Sequence, residues 1–333
     1  DCLLSRGLGD VYKRQAYPSQ NAEASNLFEQ HLIVGEWGGT GLGFCGYMAD
    51  YYFLSEIAAV PTDLGEFDDD TGNWIPKKYS GTISSPSHFL EFKDGSDLGT
   101  ATSGLDSDYQ NNLTVLDQAT DTPTNNFCVM NFVDRYINYP TNITEGGSKV
   151  TDASSGYGGA ARTFGVTTGK WYYEARSSVS TSFLGWRAAE HETRVNNNAH
   201  EATGVVAVYL LGEYLYIFDA SGQRNDTSSV VAAHDSDHVY GIALDLDNDT
   251  IKVAKNNTYN SQGAINIDGL ADQKPLLPLI VTPGVVDVNF GGVCSHRSIS
   301  SVATDANGYG KFEYAPPSGY LALCAQNLKE NGG

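Results

Sequence analysis

Short runs of β-branched and aromatic residues recur along this chain, and clusters of Gly, Asn, Asp and Ser separate them. Runs with apolar residues at every second position and turn-forming residues at both ends are typical of antiparallel strands. No stretch repeats apolar residues at helical spacing over three turns, and the only short helical candidate is segment 25–30. The pattern therefore predicts an all-β chain.

The strand signal is densest from residue 127 onward. The predicted strands are 127–133, 148–152, 162–166, 170–177, 182–186, 205–211, 214–219, 239–245, 250–254, 276–282, 285–290 and 320–325. About a dozen strands over some two hundred residues predict two packed sheets. Tight turns are predicted at 212–213 and at 247–249, where Asp and Asn tolerate a positive φ.

The chain of 333 residues is longer than one core usually becomes, about 250 residues, so two domains are expected. Residues 1–15 resemble artefactual read-through more than a targeting signal, and the native chain is expected to begin further upstream. The predicted organisation is a non-native segment at 1–15, the end of a second β-sandwich at 16–76, a polar linker at 77–126, the main β-sandwich at 127–328 and a tail at 329–333. Because two or three strands are marginally stable alone, the 16–76 piece is expected to pair with the rest of a truncated domain, with the main domain or with another chain.

Composition argues against several kinds of partner and site. The 40 acidic and 20 basic residues give a net charge of −20, which opposes broad phosphate binding and therefore nucleic acid as a partner. No run of 18 apolar residues occurs, so no membrane-spanning segment is predicted. The five cysteines are isolated, which disfavours zinc. Cys45, Cys128 and Cys324 lie in apolar runs and are predicted to be buried free thiols, which fits assembly in a reducing cytoplasm.

Three motifs resemble the SPRY domain family and follow one another in the order found there. Residues 169–174 (GKWYYE), 240–247 (YGIALDLD) and 288–291 (VNFG) resemble the GKWYWE, YGVALDLD and NFG strands of that family. The resemblance covers about 127–328 and implies a concanavalin A-like, two-sheet antiparallel β-sandwich (a jelly roll) that binds partners through variable loops and is not an enzyme. The residues that carry this fold signature are Trp171, Tyr172, Glu174, Asp245, Asp247, Asn289 and Phe290.

The chain departs from the family after the second motif. SPRY domains usually continue with an aromatic residue and Lys-Asn-Gly, whereas residues 253–257 read Val-Ala-Lys-Asn-Asn. The far end of that hairpin is therefore expected to be reshaped.

The flanking segments are similar to marine phage tail and virion proteins. Segments 121–127 and 316–324 resemble the surroundings of the SPRY-like domain in such proteins, and segments 46–50, 65–68 and 74–77 resemble the closing strand and exit of a laminin G-like domain. This resemblance implies a virion (phage tail) location after assembly in the host cytoplasm. The implied partners are a host-surface glycan or protein, or other virion proteins, and homo-oligomerisation is left open.

Two surfaces are candidates for ligand binding. Arg187, His191 and Arg194 cluster in the polar segment after Trp186, where a loop of Arg and His would suit an acidic sugar or an acidic protein surface; the alternative is a solvated loop. A tyrosine-rich face of the sandwich is the second candidate, because aromatic rings stack on sugar faces.

Catalytic and cofactor motifs are weak, so neither catalytic residues nor a cofactor nor a metal site is predicted. Segment 41–46 satisfies G-x-G-x-x-G but precedes a strand pattern, not a helix. Asp245, Asp247 and Asp249 have calcium-loop spacing, yet Thr250 stands where the loop needs Gly. A surface calcium site at the oxygen-rich turn 68–70 remains an alternative.

A pair of carboxylates would be needed for glycan hydrolysis, which some concanavalin-like sandwiches catalyse. Glu66-Phe67-Asp68 begins like the E-x-D strand of those enzymes, but Thr71 stands where a third carboxylate is expected. Glu174 is predicted to be a structural acid bonded to a neighbour. The leading hypothesis is a non-catalytic phage structural protein with a recognition module; the rivals are a glycan depolymerase and a cellular SPRY adaptor.

Overall fold

The computed structural model describes residues 48–331 apart from 70–71, 73, 86, 95–97, 100, 102, 105–117, 119, 123, 136–140, 153–156, 191–203, 220–221, 227–229, 232, 260–262, 293–298 and 300–301. By its contacts this part belongs to one unit, Tyr47–Gly333. The helical candidate at 25–30, the glycine motif at 41–46 and Cys45 lie outside the described residues.

The described chain is built mainly from strands. In chain order these are β1 (Tyr51–Phe53), β2 (Gly65–Phe67), β3 (Trp74–Pro76), β4 (His88–Leu90), β5 (Ser103–Gly104), β6 (Met130–Arg135), β7 (Thr141–Thr144), β8 (Lys149–Asp152), β9 (Gly158–Arg162), β10 (Lys170–Ser177), β11 (Phe183–Ala188), β12 (Val205–Tyr209), β13 (Tyr214–Asp219), β14 (Gly222–Asp226), β15 (Tyr240–Asp245), β16 (Thr250–Lys255), β17 (Thr258–Tyr259), β18 (Ile265–Asn266), β19 (Leu276–Thr282), β20 (Val285–Asn289) and β21 (Leu321–Ala322). The helices are α1 (Pro61–Leu64), α2 (Ala325–Asn331) and two 3₁₀ segments, Glu145–Gly147 and Asp268–Gln273.

Two large sheets form the sandwich. The nine-stranded sheet has the order β17-β16-β15-β10-β20-β8-β7, with β18 beside β16 and β21 beside β10; the seven-stranded sheet has the order β14-β13-β12-β11-β19-β9-β6. The pairings are antiparallel except that β21 runs parallel to β10. The predicted all-β, two-sheet antiparallel fold is confirmed.

The main core lies between these sheets and follows the alternation of each strand. In the nine-stranded sheet, Trp171 and Tyr173 of β10 face the seven-stranded sheet, which supplies Trp186 of β11 and Val206 of β12. All four side chains are fully buried. The signature residues Trp171 and Phe290 therefore belong to this core.

The outer side of the nine-stranded sheet is also buried. Residues 302–331, here called the C-terminal cover, lie over it, and Phe312, Tyr320 and Cys324 of the cover pack against Tyr172 of β10 and Phe127. Burial on both sides explains why three aromatic residues, 171–173, follow one another in β10 instead of alternating with polar residues. The predicted buried free thiols at Cys128 and Cys324 are confirmed.

Buried polar contacts hold the end of the C-terminal cover in place. The carboxylate of Asp305 accepts hydrogen bonds from the Ala322 amide (2.9 Å) and from Nδ2 of Asn327 (2.7 Å), and both residues are buried. Asn327 lies in α2, whose seven residues are too few to show a helical period in the sequence. This helix was not predicted. Segment 320–325, which was predicted to be a strand, contributes only the two-residue strand β21.

Other differences from the predicted strands lie at sheet edges. The strand predicted at 162–166 lies earlier, at Gly158–Arg162, and Val166 makes only an isolated bridge to Leu276. Strands β7 and β14 were missed because their sequences, TNIT and GQRND, are polar. Both are terminal strands of their sheets, where one edge needs no burial.

The turns agree with the sequence. Glu213 and Asp249 adopt a positive φ in the two predicted hairpins. At the reshaped end of β16, Asn256 and Asn257 both adopt a positive φ, which Asn tolerates in a tight turn, and they lead into β17.

The part before residue 127 forms two small sheets. Strands β1, β4 and β5 make a three-stranded sheet, and β2 and β3 make a two-stranded hairpin. The segment predicted as a linker, 77–126, thus contributes β4, which pairs with β1, and β5, which pairs with β4. A laminin G-like origin for residues 16–76 and the predicted domain bounds stay predictions.

We expect the Phe312→Ala substitution to lower the free energy of unfolding by about 3 to 5 kcal/mol, because it removes a fully buried ring from beneath the cover. Val302→Ala truncates an exposed side chain of the same segment and should change stability by less than about 0.5 kcal/mol. Urea unfolding of both variants tests this. Equal midpoints would show that the cover does not share the stability of the sandwich.

Candidate functional site

The carboxyl group of Glu174 lies at the centre of a buried polar cluster beneath the C-terminal cover. Its oxygens accept hydrogen bonds from Tyr172 Oη (3.2 Å) and Asn289 Nδ2 (3.1 Å). They also accept the backbone amides of Glu313 (2.9 Å) and Tyr314 (2.8 Å). Four donors from three separate parts of the chain therefore converge on one side chain, which ties the cover to β10.

The protonation of Glu174 reflects two opposing effects. Burial raises the pKa of Glu174 from its usual 4.5 to about 7, while the hydrogen bonds to the Glu313 and Tyr314 amides oppose the rise. Because its carboxyl oxygens are already occupied by donors of the protein, the group is not presented to a substrate. Glu174 is thus bonded to its neighbours, and its purely structural role stays a prediction.

The other polar signature residues hold the ends of two strands. Asp247 accepts the Gly169 amide (2.8 Å), and Asp245 lies 3.0 Å from Lys170 Nζ. Asp245 also accepts the amides of Asp247 and Asn248, each at 3.1 Å. These bonds close the β15–β16 turn and attach it to the start of β10, so they serve the fold and not a ligand.

A shallow cleft of about 210 Å³ lies beside this turn, lined in part by Gly169, Lys170, Asp247 and Asn331. Its polar groups are used internally: besides the bonds above, the backbone oxygen of Asn331 accepts the Thr168 hydroxyl at 3.2 Å. The cleft therefore offers a ligand few unoccupied polar groups.

The predicted loop site is only partly described. Arg187 lies inside β11, is 3% exposed and forms an ion pair with Asp134. Its placement in an exposed loop is therefore wrong: the strand continues to Ala188, and the ion pair together with bonds to the Ala188 and Ala189 carbonyls compensates for its burial. His191 and Arg194 lie outside the described residues, so their predicted role stays a prediction.

The predicted tyrosine-rich face occurs on the outer side of the seven-stranded sheet. Alternation points Val206, Val208, Leu215 and Ile217 into the core. The other side of β12 and β13 carries the buried Val205 and Ala207 together with four aromatic residues, Tyr209, Tyr214, Tyr216 and Phe218. We define the tyrosine face as Tyr209, Tyr214 and Tyr216, all partly exposed, with the supporting rings of Tyr157, Phe183 and Phe218. The residues cross-strand from the tyrosines allow this packing, since Tyr209 pairs with Tyr214 and small Ala207 pairs with Tyr216.

The rings of the tyrosine face contact one another closely. Tyr209 stacks on Phe183 with centroids 4.4 Å apart and 15° between the planes. The Tyr214 and Tyr216 centroids lie 5.1 Å apart, and their hydroxyls are 3.2 Å apart. A Cβ on Gly212 would overlap the Tyr214 ring, so this glycine makes room for the ring beside the hairpin turn.

Burial raises the pKa of Tyr209 to about 12, and a hydrogen bond with Tyr157 adds to the effect. The Tyr209 phenol is therefore neutral at physiological pH. The face combines flat apolar rings with neutral hydroxyls, and Leu211 beside it is 55% exposed. The sequence analysis proposed a tyrosine-rich face without naming its residues, and the ring contacts identify them as Tyr209, Tyr214 and Tyr216.

Within the described residues, no group of three or more His, Cys, Asp or Glu side chains is arranged to hold a metal ion. Asp70 of the alternative calcium turn lies outside them. No helix in the described part of the chain is long and apolar enough to cross a membrane. Glu66 of the E-x-D segment lies on β2 and is 3.5 Å from Lys77 Nζ.

No protein-family model matches the chain, and no curated protein matches it. Among solved structures, it is similar to the SPRY domain of human HERC1, with 16% identity, a TM-score of 0.38, and coverage of 51% of this chain and 99% of that chain. It is also similar to the PSpry domain of TRIM65, with 12% identity, a TM-score of 0.38, and coverage of 51% of this chain and 90% of that chain. Both are similarities of fold alone.

We expect the stability of the protein to depend on pH through Glu174. Because its folded-state pKa of about 7 lies above its usual 4.5, the folded state holds the proton between these values and the unfolded state does not. The free energy of unfolding should therefore fall as pH rises from 4.5 to 7, by up to about 3 kcal/mol.

Glu174→Gln removes this titration and should flatten that part of the stability profile. It should also lower stability throughout, because an amide nitrogen then faces hydrogen-bond donors. The matched control is Glu330→Gln, which changes an exposed residue of α2. Urea unfolding at pH 5 and pH 8 measures the effect, and identical pH slopes for wild type and Glu174→Gln would contradict it.

Proposed function

We propose that this chain is a non-catalytic recognition module that binds carbohydrate on the tyrosine face. The observation that carries the proposal is the cluster of three partly exposed tyrosine rings, held by neighbouring rings on the outer side of a rigid sheet. The sheet fixes ring positions before a ligand arrives, so binding costs little side-chain entropy.

The chemistry of the face suits a sugar. A pyranose ring has an apolar C–H face that packs on aromatic rings and hydroxyls at its rim that bond to polar groups. The Tyr214 and Tyr216 hydroxyls, 3.2 Å apart, offer neutral donors and acceptors at such a rim. Since each ring of the face is uncharged, a neutral glycan fits it better than a strongly charged one.

The wider context of the proposal is a phage tail or virion structural protein, with the glycan on a host surface. The support for that context is the resemblance of the flanking segments to phage proteins. A recognition role in a cellular adaptor is compatible with the same surface and would differ in its ligand, a peptide. A depolymerase role has less support, because the strongly buried Glu174 is occupied by internal hydrogen bonds.

The test is a binding titration of the full chain with neutral hexose and N-acetylhexosamine oligosaccharides. Calorimetry and saturation-transfer NMR measure the binding. Tyr214→Ala should weaken binding by about tenfold, because stacking contributes on the order of 1 kcal/mol or more per ring. Tyr214→Phe keeps the ring and should cost less. Tyr79→Ala makes the same truncation near Tyr52, outside the tyrosine face, and should leave the affinity unchanged.

Different results separate the alternatives. Equal affinities for wild type and Tyr214→Ala, or no saturable binding to any neutral oligosaccharide, would contradict the proposal. Release of new reducing ends during incubation would support the depolymerase instead. Saturable binding of a peptide but of no sugar would support the adaptor.

A further inference from the structure

The β2–β3 hairpin exposes an aromatic pair that no part of the function above uses. Phe67 is 67% exposed and Trp74 is 46% exposed, and they are cross-strand partners. Their rings meet edge to face with centroids 4.9 Å apart. Single exposed apolar residues are ordinary, but two large rings in contact at the surface of a two-stranded sheet form a patch.

The indole is held in place by the backbone beneath it. A Cβ on Gly65 would collide with the Trp74 ring, so the ring lies directly against the Gly65 backbone. Gly65 is buried although the two aromatic residues are exposed. One face of the indole is therefore covered and the ring position is fixed, which lowers the entropic cost of placing a ligand on its remaining surface.

The hairpin also leaves its backbone edges open. Strands β2 and β3 pair only with each other, and no further strand joins this sheet among the described residues. An open edge presents amides and carbonyls to which an extended peptide can add as a third strand. The register of such a peptide would place every second side chain on the side of the aromatic pair.

The charges around the pair select the partner. Segment 61–69 carries Asp63, Glu66, Asp68 and Asp69 and no basic residue. Of the two lysines that follow β3, Lys77 is 3.5 Å from Glu66 and Lys78 is 2.8 Å from Glu91. A guanidinium group stacks favourably on an exposed indole, and an acidic segment attracts it electrostatically. A second copy of this chain, with its net charge of −20, would instead bring like charges together.

We infer that the β2–β3 hairpin is a docking surface for an extended, arginine-containing peptide segment of a partner protein, with an arginine stacked on Trp74. This surface differs from the tyrosine face in both location and chemistry. Its ligand is cationic and its binding depends on salt, whereas the tyrosine face is neutral.

The experiment uses the full chain and an acetylated, amidated hexapeptide of alternating Arg and Thr. The matched control peptide replaces each Arg with citrulline, which keeps the planar group and removes the charge. Trp74 fluorescence reports binding, because Trp171 and Trp186 are fully buried. The fluorescence measurements use the Trp37→Phe variant, so that changes in emission on binding can be assigned to Trp74.

We expect saturable binding of the arginine peptide that weakens as NaCl is raised from 50 to 500 mM, and at least fivefold weaker binding of the citrulline peptide. By calorimetry, Trp74→Ala and Phe67→Ala should each weaken the arginine peptide about fivefold. Glu66→Gln removes one negative charge of the acidic segment without removing a ring and should weaken binding about twofold, through the electrostatic field. Val302→Ala truncates an exposed apolar residue of the C-terminal cover and should have no effect.

Several outcomes would overturn the inference. One is equal binding of the two peptides, and another is unchanged affinity in both Trp74→Ala and Glu66→Gln. Binding of neutral oligosaccharides at Trp74 would assign the patch to sugars. Wild-type self-association in sedimentation experiments that Trp74→Ala abolishes would assign it to a second copy. Because the tyrosine-face titration uses other residues and ligands, failure of either proposal leaves the other standing.

Discussion

The burial of apolar side chains on both sides of the nine-stranded sheet is the constraint on which the rest of this structure depends. One side packs on the seven-stranded sheet, but the other side needs a separate layer, because an exposed Tyr172 and Ala243 beside Phe127 would form a large apolar patch. The C-terminal cover supplies that layer. Its attachment requires burying polar backbone at Glu313 and Tyr314, and the Glu174 carboxylate satisfies both amides.

The two sheets therefore end with different outer surfaces, and this difference bears on function. The nine-stranded sheet is closed by its own chain, so its outer side is not open to partners where the cover lies. The seven-stranded sheet carries aromatic residues on its outer side that remain partly exposed. Rings that pack on buried neighbours and remain partly exposed can stabilise the sheet and still contact a ligand, which is why we propose recognition on this side.

Sequence reasoning succeeded where one physical signal dominated. The bounds of β10, β13 and β19 were predicted as observed, because each is an interior strand with at least one buried face and with turn residues at its ends. The terminal strands β7 and β14 have polar sequences and gave no signal. Arg187 was wrongly placed in a loop because a charged residue is expected at the surface unless its ion-pair partner is known. That partner, Asp134, lies 53 residues away in the sequence. The Glu174 cluster was hidden for a similar reason, since two of its donors are backbone amides 139 and 140 residues distant.

The tyrosine face and the β2–β3 hairpin place aromatic rings in opposite electrostatic settings. On the sheet, rings support one another and their hydroxyls pair, so the surface is neutral and its interactions should be nearly independent of salt. On the hairpin, Phe67 belongs to the acidic segment 61–69 and pairs with Trp74, in a chain that carries a net charge of −20, so we expect the field there to favour cations. The Gln118 side chain donates to the Phe92 carbonyl, and the Thr120 hydroxyl donates to the Gly291 carbonyl of the sandwich. These two bonds attach the segment after the small sheets to the sandwich. The two proposed surfaces share no residues. A partner protein at the hairpin and a glycan on the tyrosine face would therefore not compete for one surface.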